Sequence, residues 1–378
     1  MSQSRALGRL KASGLLWPLA ALVLLLLANV VVTPSFLSLR VQDGHLYGSF
    51  VDILKNGAPT LLVALGMTLV IATRGIDLSV GAVVAIAGAI TCHHIAGAGD
   101  PAGAGAALTG MLMALAVCLV LGLWNGFLVG VVGIQPIIAT LVLMTAGRGV
   151  AMLITGGQII TVNNPTYRQV GAGFWVLPIA IILAVLAFAV VGLVTRRTAL
   201  GLLIESVGIN PEASRLAGIR SRTIIWTVYV FAALCACVAG LMISSNVSAA
   251  DANNAGLFIE LDAILAVVIG GTSLAGGRYS LAGTLLGALI IQTLTTTVYT
   301  MGIAPEITLV FKAVVVIIVC LLQAPRVRQL VSGWRHRPGT SAAAHLPGDT
   351  SSESSVAGTA TPSPATPSAQ ATDKAVQR

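Results

Sequence analysis

Residues 66–81 read Gly-Met-Thr-Leu-Val-Ile-Ala-Thr-Arg-Gly-Ile-Asp-Leu-Ser-Val-Gly, which is an apolar run, a polar break and the start of a second apolar run. Gly75 allows a sharp turn of the backbone. Asp77 with Ser79 can cap the following helix, because a side-chain oxygen satisfies its first free N–H groups. Two interpretations stay open: a tight cytoplasmic turn between two helices, or a broken helix that gates a translocation path. Gly75, Asp77 and Ser79 are therefore gate candidates.

The composition of the whole chain is that of a membrane protein. Of the 378 residues, 56% are apolar and 9% are charged, whereas about 25% are charged in a typical soluble domain. So few charged side chains cannot form a water-facing shell, which excludes a soluble enzyme or an extracellular module. The net charge of +8 does not indicate nucleic acid as a partner, because the basic residues do not cluster with the aromatic residues, which make up only 5%. The expected solvent is a lipid bilayer.

Ten apolar segments predict an all-α, polytopic membrane protein with about ten transmembrane helices. If the N-terminus is cytoplasmic, 16 of the 21 Lys and Arg residues lie on the cytoplasmic side, 3 lie outside and 2 fall within spans. This asymmetry follows the positive-inside rule and predicts that both termini are cytoplasmic. The ten segments lie roughly at residues 15–32, 57–73, 79–97, 105–133, 136–155, 174–195, 223–245, 262–275, 281–301 and 306–323.

The composition divides the chain into three parts. Residues 1–14 form a basic N-terminus, and residues 15–325 form the transmembrane domain, with a polar cytoplasmic loop at about 199–222. Residues 326–378 form a tail that is basic at first and then rich in Ser, Thr, Ala and Pro. Because such a tail cannot bury a core, we expect it to be disordered in the cytoplasm.

The sequence lacks the motifs of an enzyme. It contains no G-x-x-x-x-G-K-[ST] phosphate loop, so we expect no ATP site in this chain, and it contains neither H-E-x-x-H nor G-x-S-x-G. The spacing of its five cysteines matches neither a zinc site nor a disulfide framework. The expectation is a conduit with no catalytic residue, no metal and no cofactor of its own.

A glycine-rich motif, Gly-Gly-Thr-Ser-Leu-Ala-Gly-Gly, occupies residues 270–277 between two apolar runs. Glycine lets helices approach closely, or lets the backbone turn inside the protein. The motif loosely resembles residues 66–81, which leaves an internal duplication open. Four glycines are therefore candidates for the path or gate: Gly270, Gly271, Gly276 and Gly277.

The polar insert at residues 200–219 is the long loop expected on the cytoplasmic side. Its Asn210-Pro211-Glu212 run predicts a helix cap, a first-turn proline and a first-turn acid. The short helix could lie on lipid, or it could fit a groove on a partner that drives the conduit. Five residues are candidates for that coupling contact: Gly208, Asn210, Glu212, Arg215 and Gly218.

Two basic residues, Arg148 and Lys312, fall within predicted spans. Each costs about 2.5–3.5 kcal/mol at mid-bilayer, so each should face protein, water or the interface. Arg148 could snorkel to the interface, and Lys312 could pair with Glu306 or Asp262. Polar residues near span ends that could line a path are Asn56, Ser79, Gln135, Asn163 and Asn246.

Three stretches together resemble the membrane permease subunits of bacterial ABC sugar importers of the ribose, xylose and galactose type. They are residues 66–81, the Gly208-x-Asn210 and Ala213-x-Arg215-Leu-x-Gly218-Ile219 run, and Leu261-Asp-Ala with residues 270–277. The resemblance extends from about residue 15 to 325. The Arg at position 74, where ribose permeases usually have Gly, makes the chain look most like the galactofuranose branch.

The resemblance implies import of a monosaccharide across the bacterial inner membrane. It implies a cytoplasmic ABC ATPase pair that binds ATP and Mg, a second permease subunit, identical or similar, and a periplasmic sugar-binding protein. The 200–219 insert matches the family's coupling segment, which sits in the ATPase groove. The alternative is an ion-coupled secondary sugar transporter, which should carry several carboxylates inside its spans. Here only Asp77 lies near a span, at its end.

Overall fold

Long apolar helices dominate the computed structural model, which describes residues 15–32, 36, 38, 40–42, 45–173, 175, 177–302, 307, 309–314 and 317. The first helices in chain order are α1 (Leu16–Val32), α2 (Ser49–Ala72), α3 (Val80–Gly97), α4 (Ala104–Phe127), α5 (Pro136–Thr155) and α6 (Pro165–Ala172). They are followed by α7 (Ile179–Arg197), α8 (Leu200–Ile209), α9 (Pro211–Leu216), α10 (Ser221–Val247), α11 (Ile259–Ile269) and α12 (Leu281–Thr300).

Local sequence explains where several helices begin and end. Helix α5 has proline at its first position, where the missing N–H would have no partner. It ends at Gly156, whose φ of 60° is the left-handed conformation that favours glycine. Helix α4 continues without a break into one π-helical turn, Leu128–Val132.

Two short antiparallel ladders supplement the helices. Strands β1 (Arg40–Gln42) and β2 (His45–Tyr47) form a hairpin, with Val41 opposite Leu46. Strands β3 (Ile160–Thr161) and β4 (Ala249–Ala250) join the segment after α5 to the segment after α10. The prediction of an all-α architecture is therefore right for the bulk of the chain, and these ladders are additions to it.

Helix α10 is the centre of the bundle and packs against α2, α3 and α4. Small residues make these contacts possible. A Cβ added at Gly66 would lie 2.8 Å from the Ala232 Cα, and one added at Gly122 would lie 2.7 Å from the Ala233 Cβ. Close backbone approach at small residues is the usual packing mode of helices in membranes.

Seven helices of the described chain are long and apolar enough to cross a membrane: α2, α3, α4 with its π turn, α5, α7, α10 and α12. The share of buried residues in the most apolar 18-residue stretch differs strongly among them. It is 83% in α2 but only 22% in α5 and in α7. The peripheral helices thus present apolar faces that lipid or another chain must cover. Helices α1 and α8 are apolar but shorter.

Several predictions differ from the structure or lie outside it. The span expected at residues 262–275 is an 11-residue helix, Ile259–Ile269, that follows an irregular segment. This helix is too short to cross a membrane by itself, because a helix needs about 20 residues to span a bilayer. Residues 1–14 and the tail at 326–378 lie outside the described residues, as does Glu306.

Candidate coupling and translocation sites

Three loops that are distant in sequence meet at what we call the three-loop junction, residues 72–79, 208–210 and 275–277. The Gly277 N–H donates to the Ala72 carbonyl oxygen at 2.9 Å. A Cβ added at Gly208 would overlap the Ala72 carbonyl oxygen and would lie 2.6 Å from the Gly277 nitrogen. Glycine at position 208 is therefore required for the loops to touch. The junction unites members of all three sequence motifs.

Arg74 fastens this junction with its side chain. Its Nε donates to the Ala275 carbonyl oxygen at 3.0 Å, and its Nη2 donates to the Ile209 carbonyl oxygen. Arg74 has a φ of 64°, a conformation that costs a non-glycine residue free energy. The Arg74 side chain remains largely exposed, so its two hydrogen bonds are in contact with solvent.

The polar residues of the 74–79 turn are buried and do not act as predicted. The prediction that Asp77 and Ser79 cap the next helix is wrong, because Ser79 makes no capping hydrogen bond to α3. Instead, Asp77 Oδ1 accepts from the Ser79 N–H at 3.0 Å and from the Ser79 Oγ at 2.6 Å. Ser79 Oγ also accepts from Asn125 Nδ2 at 2.8 Å. A tertiary partner on α4 has replaced the local cap.

Burial raises the pKa of the Asp77 carboxyl to about 6, although the Ser79 hydrogen bonds act in the opposite direction. A Cβ at Gly75 would overlap the hydroxyl of Tyr229, which is itself fully buried. Within the described chain, Tyr229 Oη and Asn125 Oδ1 have no hydrogen-bond partner. Asn125 and Tyr229 were missed by the sequence reasoning, since nothing in their local pattern distinguishes them from helix-core residues.

The coupling loop forms two short helices, α8 and α9. The predicted cap is confirmed, as Asn210 Oδ1 accepts from the backbone N–H groups of Glu212 at 3.1 Å and of Ala213 at 3.0 Å. Glu212 and Arg215 form an exposed ion pair at 2.5 Å, which lowers the pKa of the Glu212 carboxyl. Gly218, with a φ of 86°, follows the end of α9 as predicted.

The glycine-rich motif lies between α11 and α12. Gly270 packs so closely on Gly283 that a Cβ on either would overlap the other's backbone. Gly271, Gly276 and Gly277 all have positive φ values, between 80° and 88°. Gly276 also lies against the Arg74 side chain, so this motif serves both the α11–α12 contact and the three-loop junction.

A second unusual region lies between α10 and α11, where residues 248–258 form what we call the interrupted segment. It contains no regular helix, yet it packs along α3. Ala252 shares an apolar cluster with Ala85 and Ile86, and a Cβ at Gly256 would lie 2.9 Å from the Gly81 carbonyl oxygen. Irregular backbone at the depth of a membrane span needs protein or water around it.

Arg148 supplies part of that environment. It is the thirteenth residue of α5, and its Nη1 donates to the carbonyl oxygens of Ala252 at 3.1 Å and Ala255 at 2.6 Å. Of the two alternatives, snorkelling and facing protein, the structure has the second. Lys312 pairs with Asp262 at 2.8 Å, as predicted, while its other expected partner, Glu306, lies outside the described residues.

The remaining path candidates are only partly brought together. Asn56 and Asn246 line one small cleft with Lys55 and Met242. Gln135, at the start of α5, and Asn163, beside β3, are exposed at other positions. The described part of the chain contains no cluster of three or more His, Cys, Asp or Glu residues that could hold a metal ion.

Comparison with known proteins identifies a family and several relatives. A family model described as "Branched-chain amino acid transport system / permease component" matches residues 49–320. The galactofuranose transporter permease protein YtfT of Escherichia coli (strain K12) is 50% identical over 331 residues, 86% of this chain and 95% of the relative. The fructose import permease protein FruF of Bifidobacterium longum (strain NCC 2705) is 41% identical over 336 residues, 87% of this chain and 93% of the relative.

The ribose import permease protein RbsC of Bacillus subtilis (strain 168) is 35% identical over 310 residues, which cover 81% of this chain and 92% of the relative. No solved structure matches the chain. The resemblance drawn from the three sequence stretches is confirmed by these relatives.

Proposed function

Because the chain belongs to the transport-system permease family whose model spans residues 49–320, we propose that it is the membrane permease subunit of an ATP-driven ABC importer that translocates a monosaccharide. The observation that carries this proposal is the 50% identity to a galactofuranose permease over 95% of that protein's length. The family description names branched-chain amino acids, but the relatives aligned along nearly their whole length are named for sugars.

Galactofuranose is the substrate that we favour, and fructose and ribose are the next candidates. The order follows the identities of 50%, 41% and 35% to the three named permeases. All three sugars carry several hydroxyl groups, so the path needs amide, hydroxyl and carboxyl groups that exchange hydrogen bonds readily. The cleft that holds Asn56 and Asn246 offers two such amides.

The topology that we propose has ten spans in a bacterial inner membrane, with both termini in the cytoplasm. The distribution of Lys and Arg, 16 inside and 3 outside, supports the orientation. In this topology the ten passages would be the seven long helices, α1, the interrupted segment with α11, and a last span that includes the helical residues 309–314. Residues 15–325 are then the permease domain, and 326–378 a cytoplasmic tail.

The partners that we propose are a cytoplasmic ABC ATPase, a second permease subunit and a periplasmic sugar-binding protein. ATP and Mg would be bound by the ATPase, and this chain would hold no cofactor. Helix α9 is the proposed docking element, because the Leu216 side chain is 78% exposed beside the exposed Glu212–Arg215 pair. An apolar side chain with adjacent charges suits a groove on a partner protein.

The mechanism that we propose is alternating access driven through the three-loop junction. A displacement of α9 acts on Gly208 at the end of α8, and Gly208 is in direct contact with Ala72 and Gly277. These two residues lie at the end of α2 and before α12. Movement of the ATPase can therefore reach α2 and α12 through contacts between backbone atoms, and no long side chain is needed to transmit it.

The test is sugar uptake by the full transporter with α9 altered. Leu216→Asp and Glu212→Arg should abolish ATP-dependent uptake of labelled galactofuranose and reduce copurification of the ATPase, while membrane insertion persists. The matched control is Ile159→Asp, another exposed apolar side chain, 61% exposed and outside α9. Normal uptake in the α9 variants would contradict the coupling role. Uptake that collapses with an ionophore but survives ATP depletion would instead identify an ion-coupled carrier.

A further inference from the structure

The interrupted segment packs along α3, a helix long and apolar enough to cross a membrane, and polar groups beside such a helix cannot face lipid without cost. Helix α3 has 18 residues, about 27 Å at 1.5 Å per residue, which is close to the roughly 30 Å hydrocarbon thickness of a bilayer. Ala252 packs with Ile86, and Gly256 packs on Val84. Asn253, between Ala252 and Gly256, is therefore placed beside the first half of α3.

Two asparagines of this segment are nevertheless exposed. Asn254 Nδ2 donates to Asp251 Oδ2 at 2.7 Å, and Asp251 Oδ1 accepts from the backbone N–H groups of Asn253 and Asn254. The Asn253 side-chain amide makes no hydrogen bond within the part of the chain that the structure describes. Moving an amide from water into hydrocarbon costs about 4–8 kcal/mol. This face must meet water, a ligand or a polar protein surface.

The segment is held in place and is not a slack loop. The two non-glycine residues Ser248 and Phe258, with φ values of 53° and 62°, bracket it, and such conformations cost of order 1–3 kcal/mol each. Arg148 binds two of its carbonyl groups. Just after the segment, in the first turn of α11, Glu260 is 8% exposed, and its Oε2 has no partner among the described residues. Strained backbone that is fixed by its surroundings is typical of ligand sites.

We propose that the side-chain amides of Asn253 and Asn254 line the translocation path and bind hydroxyl groups of the monosaccharide as it crosses. The proposal rests on the proposed function and adds to it the residues that contact the substrate. An amide offers one acceptor and two donor hydrogens, which match a hydroxyl that both donates and accepts. Neutral amides also release a sugar readily, as transport requires, since a site that binds too tightly does not conduct.

The first experiment measures water access in membranes that contain the complete transporter. Asn253→Cys is compared with Val150→Cys, whose side chain is apolar, exposed and next to Ala151 in the cluster that contains Ala252. The wild-type chain gives the background, and its described cysteines are all buried. A charged, membrane-impermeant thiol reagent should label Asn253→Cys and leave Val150→Cys unlabelled. If Asn253→Cys is labelled no faster than Val150→Cys, lipid or a second subunit covers position 253, and the proposal is overturned.

The second experiment tests contact with the sugar. Galactofuranose at ten times its half-saturating concentration should slow the labelling of Asn253→Cys about tenfold by mass action. Asn253→Leu should raise the half-saturating concentration for uptake at least about fivefold, the equivalent of one lost hydrogen bond, and Asn253→Gln should restore it. No protection together with an unchanged half-saturating concentration overturns the proposal. Failure of the proposed function is recorded separately, as absence of sugar uptake by the wild-type transporter.

Discussion

The three-loop junction and the interrupted segment are held together by the same kind of contact. In each, one arginine donates hydrogen bonds to two backbone carbonyl groups at least 104 residues away in sequence: Arg74 joins two different loops, and Arg148 holds two residues of one segment. Each also contains non-glycine residues in the left-handed conformation: Arg74 in the junction, and Ser248 and Phe258 around the interrupted segment. The difference is in the surroundings, since Arg74 is exposed whereas Arg148 is half-buried within a span.

That difference should decide which region moves. A hydrogen bond from an exposed arginine exchanges with water at little cost, so it contributes about 0–1 kcal/mol. The same contact away from water leaves unsatisfied carbonyl groups if it breaks, and contributes about 1.5–3 kcal/mol. We therefore expect the junction to rearrange during transport while the upper part of the interrupted segment stays fixed.

The largest effect should come from filling the junction. Gly208→Ala places a methyl group into the Ala72 carbonyl oxygen, and backbone atoms cannot give way as a side chain can. We expect a loss of about 3 kcal/mol or more, measured as a lower thermal unfolding midpoint in detergent and as lost uptake. The control is Gly149→Ala on α5, where a Cβ meets nothing within 4 Å, and which should be neutral or stabilising. Equal behaviour of the two variants would mean that the junction is not closely packed.

A pH titration tests the buried carboxyl of the junction. The pKa of Asp77 is raised from 3.8 to about 6 in the folded protein, so its contribution to stability is fully present below about pH 4 and is lost as pH rises through about 6. The loss amounts to about 3 kcal/mol at 1.36 kcal/mol per pH unit. Asp77→Asn should remove this decline and be the more stable protein above pH 6. Parallel stability curves for the two proteins would show that Asp77 is not the group responsible.

Removing the buried arginine contact comes next. Arg148→Met leaves the carbonyl oxygens of Ala252 and Ala255 without their donor and should cost about 2 kcal/mol. It should also increase protease or thiol access to residues 248–258 in membranes. Arg148→Lys, which keeps a donor but not its forked geometry, should restore part of the stability. If Arg148→Met unfolds at the same temperature as wild type, the arginine does not fix the segment.

The smallest effect is expected at the exposed arginine. Arg74→Ala should lose less than about 1 kcal/mol because water replaces the hydrogen bonds. Arg74→Gly should be the better tolerated of the two, since glycine relieves about 1 kcal/mol of left-handed strain at a φ of 64°. Comparing the unfolding midpoints of both variants with that of Arg148→Met tests the ranking directly. A greater loss at Arg74 than at Arg148 would reverse the comparison.

Local features of the molecule could be predicted from the sequence, and tertiary ones could not. The Asn210 cap follows from its own neighbours, and the structure has it. The predicted cap by Asp77 and Ser79 is absent, and the Ser79 Oγ instead accepts from Asn125, 46 residues away, and donates to Asp77. Arg148 was expected to face protein, water or the interface, but no local pattern could indicate carbonyl groups more than 100 residues away. The glycines indicated close contacts but not the residues that they touch, and the interrupted segment fell in the gap between the spans predicted at 223–245 and 262–275.

The short ladder between β3 and β4 has a mechanical consequence. Its two residue pairs, with the added bond from the Val162 N–H to the Ser248 carbonyl oxygen at 3.0 Å, tie the top of the interrupted segment to the chain that leads into α6. The ladder fixes one end of the segment, and Arg148 holds it again at Ala252 and Ala255. Any tilt of α11 must therefore be absorbed by residues 256–258, which makes this short stretch the pivot between a fixed wall and a moving helix.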